Sequence, residues 1–308
     1  MFCGFSLDVE MQFLSGIGSS LVAVRARVGD RIDDWRADIL DGGRGVKLLL
    51  ALLCAVLVGS AVLSVLWSSE PETFSVRDAL ALQSAQAQTA DKPLTGVATT
   101  ATLIRVTSTL LDKPGGYIFN DIAPPGVWMD NTPNWEYGVL IQVRDLSKAM
   151  REAFSRSQSQ STEDNQLALA ESRFNVDHNN WAMPASESEY REGIKFLNGY
   201  LQRLTDADLH NAQFYARADN LRYWLSTVET RLGSLSQRLS ASVGQRRLNT
   251  DLAGEERASR STAAPTEMMI KTPWMEIDDV FYEARGSAWA LLHFLKAIEV
   301  DFADTLAK

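Results

Sequence analysis

Cysteine and histidine are both scarce in this chain. Of its 308 residues, two are cysteine and three are histidine. Cys3 and Cys54 both lie in the first part of the chain, so the long remainder has no disulfide framework and no cysteine-based zinc site. His178, His210 and His293 are far apart in sequence, and none stands four residues from another. The sequence therefore predicts no metal site.

Motifs for nucleotide binding and for covalent catalysis are also missing. The chain has no Gly-rich phosphate loop, no Ser-His-Asp arrangement and no dinucleotide fingerprint. We therefore expect no cofactor. The formal net charge is −9, and most of the acidic excess follows Trp67. Such a surface repels phosphate backbones, so we expect no nucleic-acid partner.

One apolar stretch, residues 46–67, has Lys47 as its only charged residue. A helix of about 20 apolar residues is long enough to cross ~30 Å of hydrocarbon. The stretch begins too far from the N-terminus for a cleaved signal peptide, and no small-residue cleavage site follows it closely. The sequence therefore predicts a transmembrane helix in contact with membrane lipid, with Trp67 at headgroup depth.

The basic residues nearest to this span lie on its N-terminal side, and the first one after it is Arg77. Glu70 and Glu72 follow it, whereas six basic residues precede or open it: Arg25, Arg27, Arg31, Arg36, Arg44 and Lys47. Lys and Arg are retained on the cytoplasmic side of a membrane. We expect a single-pass inner-membrane protein with a cytoplasmic tail (1–45), a linker or juxtamembrane helix (68–93) and a periplasmic domain (94–308).

Small residues recur every four positions within the span, at Ala51, Ala55 and Gly59. This spacing lets two membrane helices approach closely, which indicates a homodimer. Alanine and glycine are also ordinary residues of any apolar span. Both interpretations remain open.

Beyond the span, apolar residues recur at intervals of three and four, and no comparable run alternates with period two. This pattern predicts an all-α bundle of about five or six helices, including long heptad-patterned ones. Residues 254–273 show no periodicity and are expected to form a mobile loop. Shorter runs occupy 97–111, 139–150 and 190–204, and the two long ones are Ala218, Leu221, Leu225, Val228, Leu232, Leu235, Leu239 and Ile277, Phe281, Ala284, Ala288, Leu291, Leu295, Ile298, Phe302.

Three stretches carry a family resemblance: "LDKPGGYIFNDIAPPGVWMDNTPNWEYGVL", "FYARADNLRYWL" and "DDVFYEARGSAWALLHFLKAIEVDF". They resemble a bacterial membrane-protein family catalogued as domain of unknown function 2333. The resemblance covers nearly all of the region after the span. It implies a bacterial envelope protein and brings no catalytic residues with it.

One short stretch suggests an enzyme. "AESRFN", residues 170–175, is similar to the Glu-Ser motif of lysozyme-like lytic transglycosylases. Glu171 would be the acid that protonates a glycosidic oxygen of peptidoglycan. The Gly-Leu-Met-Gln and Tyr-Asn motifs of those enzymes are missing, so this candidate rests on one residue.

The stretch 116–138 combines three prolines with two tryptophans seven positions apart. One interpretation is a lid that packs its aromatic rings over one end of the bundle. The other is a binding loop, since exposed Trp and Tyr commonly anchor partners. Its candidate partner-binding residues are Tyr117, Trp128, Trp135 and Tyr137.

Together these patterns favour a non-catalytic scaffold or accessory protein in cell-envelope assembly or maintenance, whose protein partner the sequence does not identify. Two alternatives remain open. One is a transglycosylase-like enzyme that uses Glu171, and the other is an accessory subunit of a transport or secretion complex.

Overall fold

The computed structural model describes residues 31, 43–78, 80, 94–157, 162–206, 211–249 and 267–307. The chain divides into two compact units, Met1–Val62 and Leu63–Lys308. Most described residues are helical, which confirms the all-α class.

The first described helix, α1 (Arg44–Trp67), is 24 residues long. By length and composition it is able to cross a membrane, and no second helix of that kind occurs in the described ranges. Its Lys47 and its small residues Ala51, Ala55 and Gly59 are exposed. A Cβ atom on Gly59 would meet nothing within 4 Å, so among the described residues nothing covers the small-residue stripe at this point.

Every segment with three-and-four spacing lies in a helix of the second unit, which confirms the predicted helices. A π-helical turn, Met150–Phe154, extends the helix Asn131–Ala149. The helices are α2 (Val97–Asp112), α3 (Asn131–Ala149), α4 (Asn165–Phe174), α5 (Ser186–Thr205), α6 (Ala218–Ser242), α7 (Ile277–Asp301) and the short α8 (Ala303–Leu306).

A two-stranded antiparallel ribbon, β1 (Gln245–Leu248) and β2 (Glu267–Ile270), follows α6. Strand β2 falls within the stretch 254–273, which we expected to form a mobile loop, and these four residues form a strand instead. The strand is too short for a period of two to stand out in the sequence. Of the rest of that predicted loop, residues 271–273 have no regular secondary structure, and residues 254–266 lie outside the described residues.

The core is continuous across the bundle, and α3 and α7 form its most extensive helix pair. Fully buried aromatic side chains fill it, each removing roughly 150–250 Å² from water. They include Trp135, Trp224, Tyr190, Tyr200, Phe154, Phe174, Phe294 and Phe302.

Residues 68–78, here called the strap, belong to the predicted linker 68–93. They are mostly extended and lie in a groove between α2 and α7. The strap is therefore bound to the bundle along its length, whereas residues 79 and 81–93 lie outside the described part. Its contacts, in chain order, are Glu70 with Arg285, Phe74 with Arg105, Trp289 and His293, and Val76 in a small cluster with Ala98 and Ala297.

The strap enters the bundle unit at the end formed by the loops 113–130 and 175–185 and by residues 271–276, here called the entry end. The ring of Trp67 lies against Gly115 in the first of these loops. Polar contacts at this end join Asp112 to Arg191 (2.9 Å), Asn120 to the carbonyl oxygen of Asn180 (2.9 Å) and Asn134 to Asp279 (2.8 Å).

Candidate functional site

The aromatic stretch 116–138 is a loop only as far as Asp130. The Asp130 carboxylate accepts the N–H of Asn131 at 2.8 Å and caps α3, so the second half of the stretch is helical. Trp135 lies on this helix, is 1% exposed and packs against Trp289 with ring centroids 5.3 Å apart.

Two of the four aromatic residues proposed as partner anchors are therefore core residues. Trp135 and Tyr117 (3% exposed) have no surface to offer a partner. The Tyr117 hydroxyl donates to the carbonyl oxygen of His178 at 3.0 Å, and burial raises its pKa far above the usual value. Trp128 is 56% exposed and Tyr137 is half-buried.

A buried ion pair between Lys113 and Glu136 shapes the loop. The Glu136 carboxylate accepts the backbone N–H groups of Ile118 (2.9 and 3.1 Å) and Phe119 (2.8 Å), and both charged side chains are almost fully buried. Burial raises the pKa of Glu136 to about 7, although Lys113 and the two backbone donors lower it. Because these groups do not reach solvent, their role is to fix the path of the loop.

Glu171, the candidate general acid, lies on α4 in an ion pair with Arg151. The same guanidinium pairs with Glu163 at 2.8 Å and with Glu152 at 2.9 Å, and the hydrogen bond to Glu171 raises the pKa of Arg151. A general acid needs a proton near neutral pH, which requires a site that disfavours its charge. Glu171 is instead held by a guanidinium that it shares with Glu152 and Glu163, so its oxygens are engaged in an ion pair.

Two of the three histidines, His178 and His293, lie in the described part of the chain, and they lie in different surroundings. His210 lies outside the described residues, and His178 packs edge-on against Phe119 and at a tilt against Tyr137. Nδ1 of the buried His293 lies 2.7 Å from the carbonyl oxygen of Trp289, and its Nε2 accepts the N–H of Phe74 at 3.1 Å. Within the described ranges, no three His, Cys, Asp or Glu side chains converge.

A polar cleft of about 190 Å³ lies between α3, α6 and α7. Sequence reasoning did not find this cleft, although Tyr137 was one of its candidates. Side chains from all three helices line it, among them Tyr137, Gln142, Arg231, Ser234, Arg238 and Glu283.

Gln142 is the unusual residue of this cleft. It is 1% exposed, and neither its side-chain nitrogen nor its oxygen has a hydrogen-bond partner in the described part of the protein. Leaving a buried polar atom unpaired costs about 1–3 kcal/mol. Because both atoms are buried, a group that offers a donor and an acceptor pairs with this amide only when the Gln142 side chain turns into the cleft.

Two arginines frame the mouth of the cleft. Arg231 pairs with both oxygens of Asp145 (2.7 and 3.0 Å), and Arg238 pairs with both oxygens of Glu283. These hydrogen bonds raise the pKa of each guanidinium. Both arginines are about half exposed, so their remaining N–H groups are accessible. Such an arrangement can donate hydrogen bonds to an acceptor at the mouth of the cleft.

A family model described as an uncharacterized protein conserved in bacteria, domain of unknown function 2333, matches residues 42–308. The chain belongs to this family. The matched range includes α1, the strap and all the bundle helices, so the cleft lies within the family's domain. Neither a search of curated proteins nor a search of solved structures found a match.

The sequence of this family member contained a partial signal for the cleft. Arg231 and Arg238 are seven residues apart on α6, which places them on one face. Gln142 interrupts the apolar run of α3 beside Val143. Neither feature identifies a site alone, because the cleft exists only where three helices pack together.

Proposed function

We propose that this protein is a single-pass inner-membrane protein whose periplasmic helical bundle binds a protein partner without catalysing a reaction. It would act as a scaffold or accessory in cell-envelope assembly or maintenance. The observation that carries this proposal is the unpaired, buried amide of Gln142 in a cleft framed by two arginines.

The size of the cleft favours a protein partner. Sites for small molecules and cofactors usually enclose ~300–1,000 Å³. At about 190 Å³, this cleft fits one side chain or one peptide amide of a partner. A backbone amide offers one donor and one acceptor, which matches the two unpaired atoms of Gln142. Exposed arginine N–H groups at the rim would add hydrogen bonds to the partner's carbonyl or carboxylate oxygens.

The proposed topology is supported by α1 and by the charges on either side of it. Basic residues precede α1 and acidic residues follow it, which favours a cytoplasmic N-terminus and a periplasmic bundle. A homodimer through Ala51, Ala55 and Gly59 stays a prediction. Crosslinking of a cysteine at Ala55 in native membranes would test it.

Site-specific photo-crosslinking tests the cleft. A photoreactive amino acid at Tyr137 of the full-length protein in its own membrane should capture a partner, which mass spectrometry then identifies. Gln142→Leu should reduce this product about tenfold or more, because loss of a buried amide pairing costs about 1–3 kcal/mol. The substitution removes unpaired polar atoms, so folding should not suffer.

Gln202→Leu, at an exposed position of α5, is the matched control and should leave the crosslink unchanged. Equal crosslinking in wild type and Gln142→Leu would refute the cleft as the binding site. The identity of the captured protein also separates an envelope scaffold from an accessory of a transport or secretion complex.

The enzyme alternative has its own experiment. Purified protein is incubated with sacculi, and released muropeptides are measured for wild type and Glu171→Gln. The ion pair with Arg151 leads us to expect no release from either. Release by wild type that disappears in Glu171→Gln would establish the enzyme and rule out the non-catalytic proposal.

A further inference from the structure

The entry end of the bundle exposes large apolar side chains on all three of its segments. Loop 113–130 carries Trp128 (56% exposed), loop 175–185 carries Trp181 (60%) and Met183 (98%), and residues 271–276 carry Trp274 (85%) and Met275 (79%). Large apolar surface grouped at one end of a bundle marks an interaction surface.

The β1–β2 ribbon adds to this surface. It follows α6, whose last turns pair with the first turns of α7 through Arg238 and Glu283, so the ribbon lies at the entry end. All four residues of β2 are exposed, including Met269 at 67%. A two-stranded ribbon is at best marginally stable alone in water, and this one has little cover from the described residues.

The ribbon is also basic within an acidic protein. Met269 pairs with Arg246, so the two side chains share one face. Arg246, Arg247 and Lys271 oppose the single carboxylate of Glu267, whereas the whole chain has a net charge of −9. Apolar and basic side chains on one element are typical of segments that lie in the headgroup region of a membrane.

The position of Trp67 indicates which partner covers this end. A tryptophan that ends a membrane span lies at headgroup depth. The Trp67 ring lies against Gly115, so loop 113–130 directly contacts the end of α1 at headgroup depth. Because the strap packs along α2 and α7, residues 68–78 cannot act as a flexible linker that would let the bundle move away from the end of α1.

We propose that the entry end rests on the outer leaflet of the membrane, with Trp128, Trp181, Trp274 and the ribbon at headgroup depth. Acidic residues Glu276 and Asp278 stand beside Trp274, so burial of aromatic and thioether side chains drives the contact more than charge does. This surface shares no residue with the Gln142 cleft and goes beyond the proposed function, although it rests on the membrane-spanning α1 of that proposal.

The test uses the full-length chain with Cys3 and Cys54 replaced by serine and one new cysteine carrying an environment-sensitive fluorophore. Labels at Met269→Cys and Trp274→Cys report on the entry end. A label at Leu306→Cys, which is 57% exposed and follows the opposite end of α7, is the control. The protein is reconstituted in vesicles of phosphatidylethanolamine and phosphatidylglycerol, with and without a headgroup-region nitroxide lipid.

The nitroxide lipid should quench the labels at 269 and 274 about twofold or more over the label at 306, and aqueous iodide should show the reverse order. Circular dichroism checks that each labelled variant is folded. Equal quenching at all three positions would overturn the proposal. Shielding from iodide in native membranes but not in lipid vesicles would also overturn it, because a protein would then cover the surface.

Discussion

Gly138 of α3 and Gly286 of α7 lie where these two helices cross, and neither position has room for a side chain. A Cβ atom on Gly138 would lie 2.1 Å from the carbonyl oxygen of Glu283. One on Gly286 would lie 2.0 Å from the carbonyl oxygen of Trp135. The backbones therefore approach closely, and the Ser287 hydroxyl donates to the Gly138 carbonyl oxygen at 3.1 Å.

The first prediction concerns this crossing. Gly138→Ala and Gly286→Ala should each lower the free energy of unfolding by at least about 2 kcal/mol, because the added methyl group forces the central helix pair apart. Gly233→Ala is the matched control, since its Cβ would meet nothing within 4 Å. That change should raise stability by about 0.5–1 kcal/mol through helix propensity. Denaturant unfolding followed by circular dichroism measures the stability of all three variants. If all three changed stability equally, the close approach of α3 and α7 at Gly138 and Gly286 would be contradicted.

These glycines show where sequence reasoning stops. The helices were predictable, because three-and-four spacing follows directly from helix geometry. The crossing was not, because Gly138, Gly286 and the open Gly233 are all helical glycines whose differences arise from their neighbours in space.

The aromatic stretch was partly predictable. Trp135 stands four residues before Val139 and eight before Val143, so it extends the apolar face of α3 into the core. This signal was present in the sequence and was missed. Trp128 is seven residues before Trp135, but it lies before the helix cap, so this spacing does not place it on the face of α3. Its exposure depends on how the loop folds. The cleft could not be predicted, because it requires the packing of three helices.

The second prediction concerns the buried pair of Lys113 and Glu136. Glu136→Gln removes the partner of a buried ammonium group and should cost about 3–5 kcal/mol of stability. Lys113→Met should cost less near neutral pH, because the pKa of Glu136 is already raised to about 7 and the carboxyl group then takes up a proton. The double variant Lys113→Met/Glu136→Gln should be more stable than Glu136→Gln alone. Chemical unfolding measures the three variants. If the stability loss of the double variant equals the sum of the two single losses, the two groups do not interact.

The third prediction concerns pH and the strap. The hydrogen bond between His293 and the strap requires a neutral imidazole ring, because Nε2 accepts the N–H of Phe74. Burial lowers the pKa of His293 and nearby Lys296 lowers it further, although the hydrogen bond to Trp289 raises it. The unfolded chain therefore gains a proton first as pH falls. The contribution of His293 is complete above about pH 6.5 and is lost as pH falls through the lowered folded pKa.

His293→Phe keeps a ring stacked near Phe74 and does not titrate. It should be less stable than wild type at about pH 7.5, with a smaller deficit at about pH 5, because only wild type loses the histidine contribution on acidification. Thermal unfolding at the two pH values measures the difference. If wild type and His293→Phe lost the same amount of stability between the two pH values, groups other than His293 would account for the pH dependence.

The last prediction concerns a cap supplied from one helix to another. The first N–H groups of α2 need acceptors, and Gly96 at its N-cap has no side chain. Asp301, at the end of α7, supplies one: its carboxylate accepts the N–H of Thr99 at 2.7 Å and the Thr99 hydroxyl at 2.6 Å. Its negative charge also suits the positive pole of α2.

Asp301→Ala should therefore lower the free energy of unfolding by about 1–3 kcal/mol, and Asp301→Asn by less, because the amide oxygen still accepts. Asp304→Ala removes an exposed carboxylate three residues away and should change stability by less than about 0.5 kcal/mol. In a double-mutant cycle, Thr99→Ala should cost little once Asp301 is alanine, since the hydroxyl then has lost its acceptor. If Thr99→Ala lowers the free energy of unfolding equally in both backgrounds, the hydrogen bond between Thr99 and Asp301, which are 202 residues apart in sequence, does not stabilise the fold.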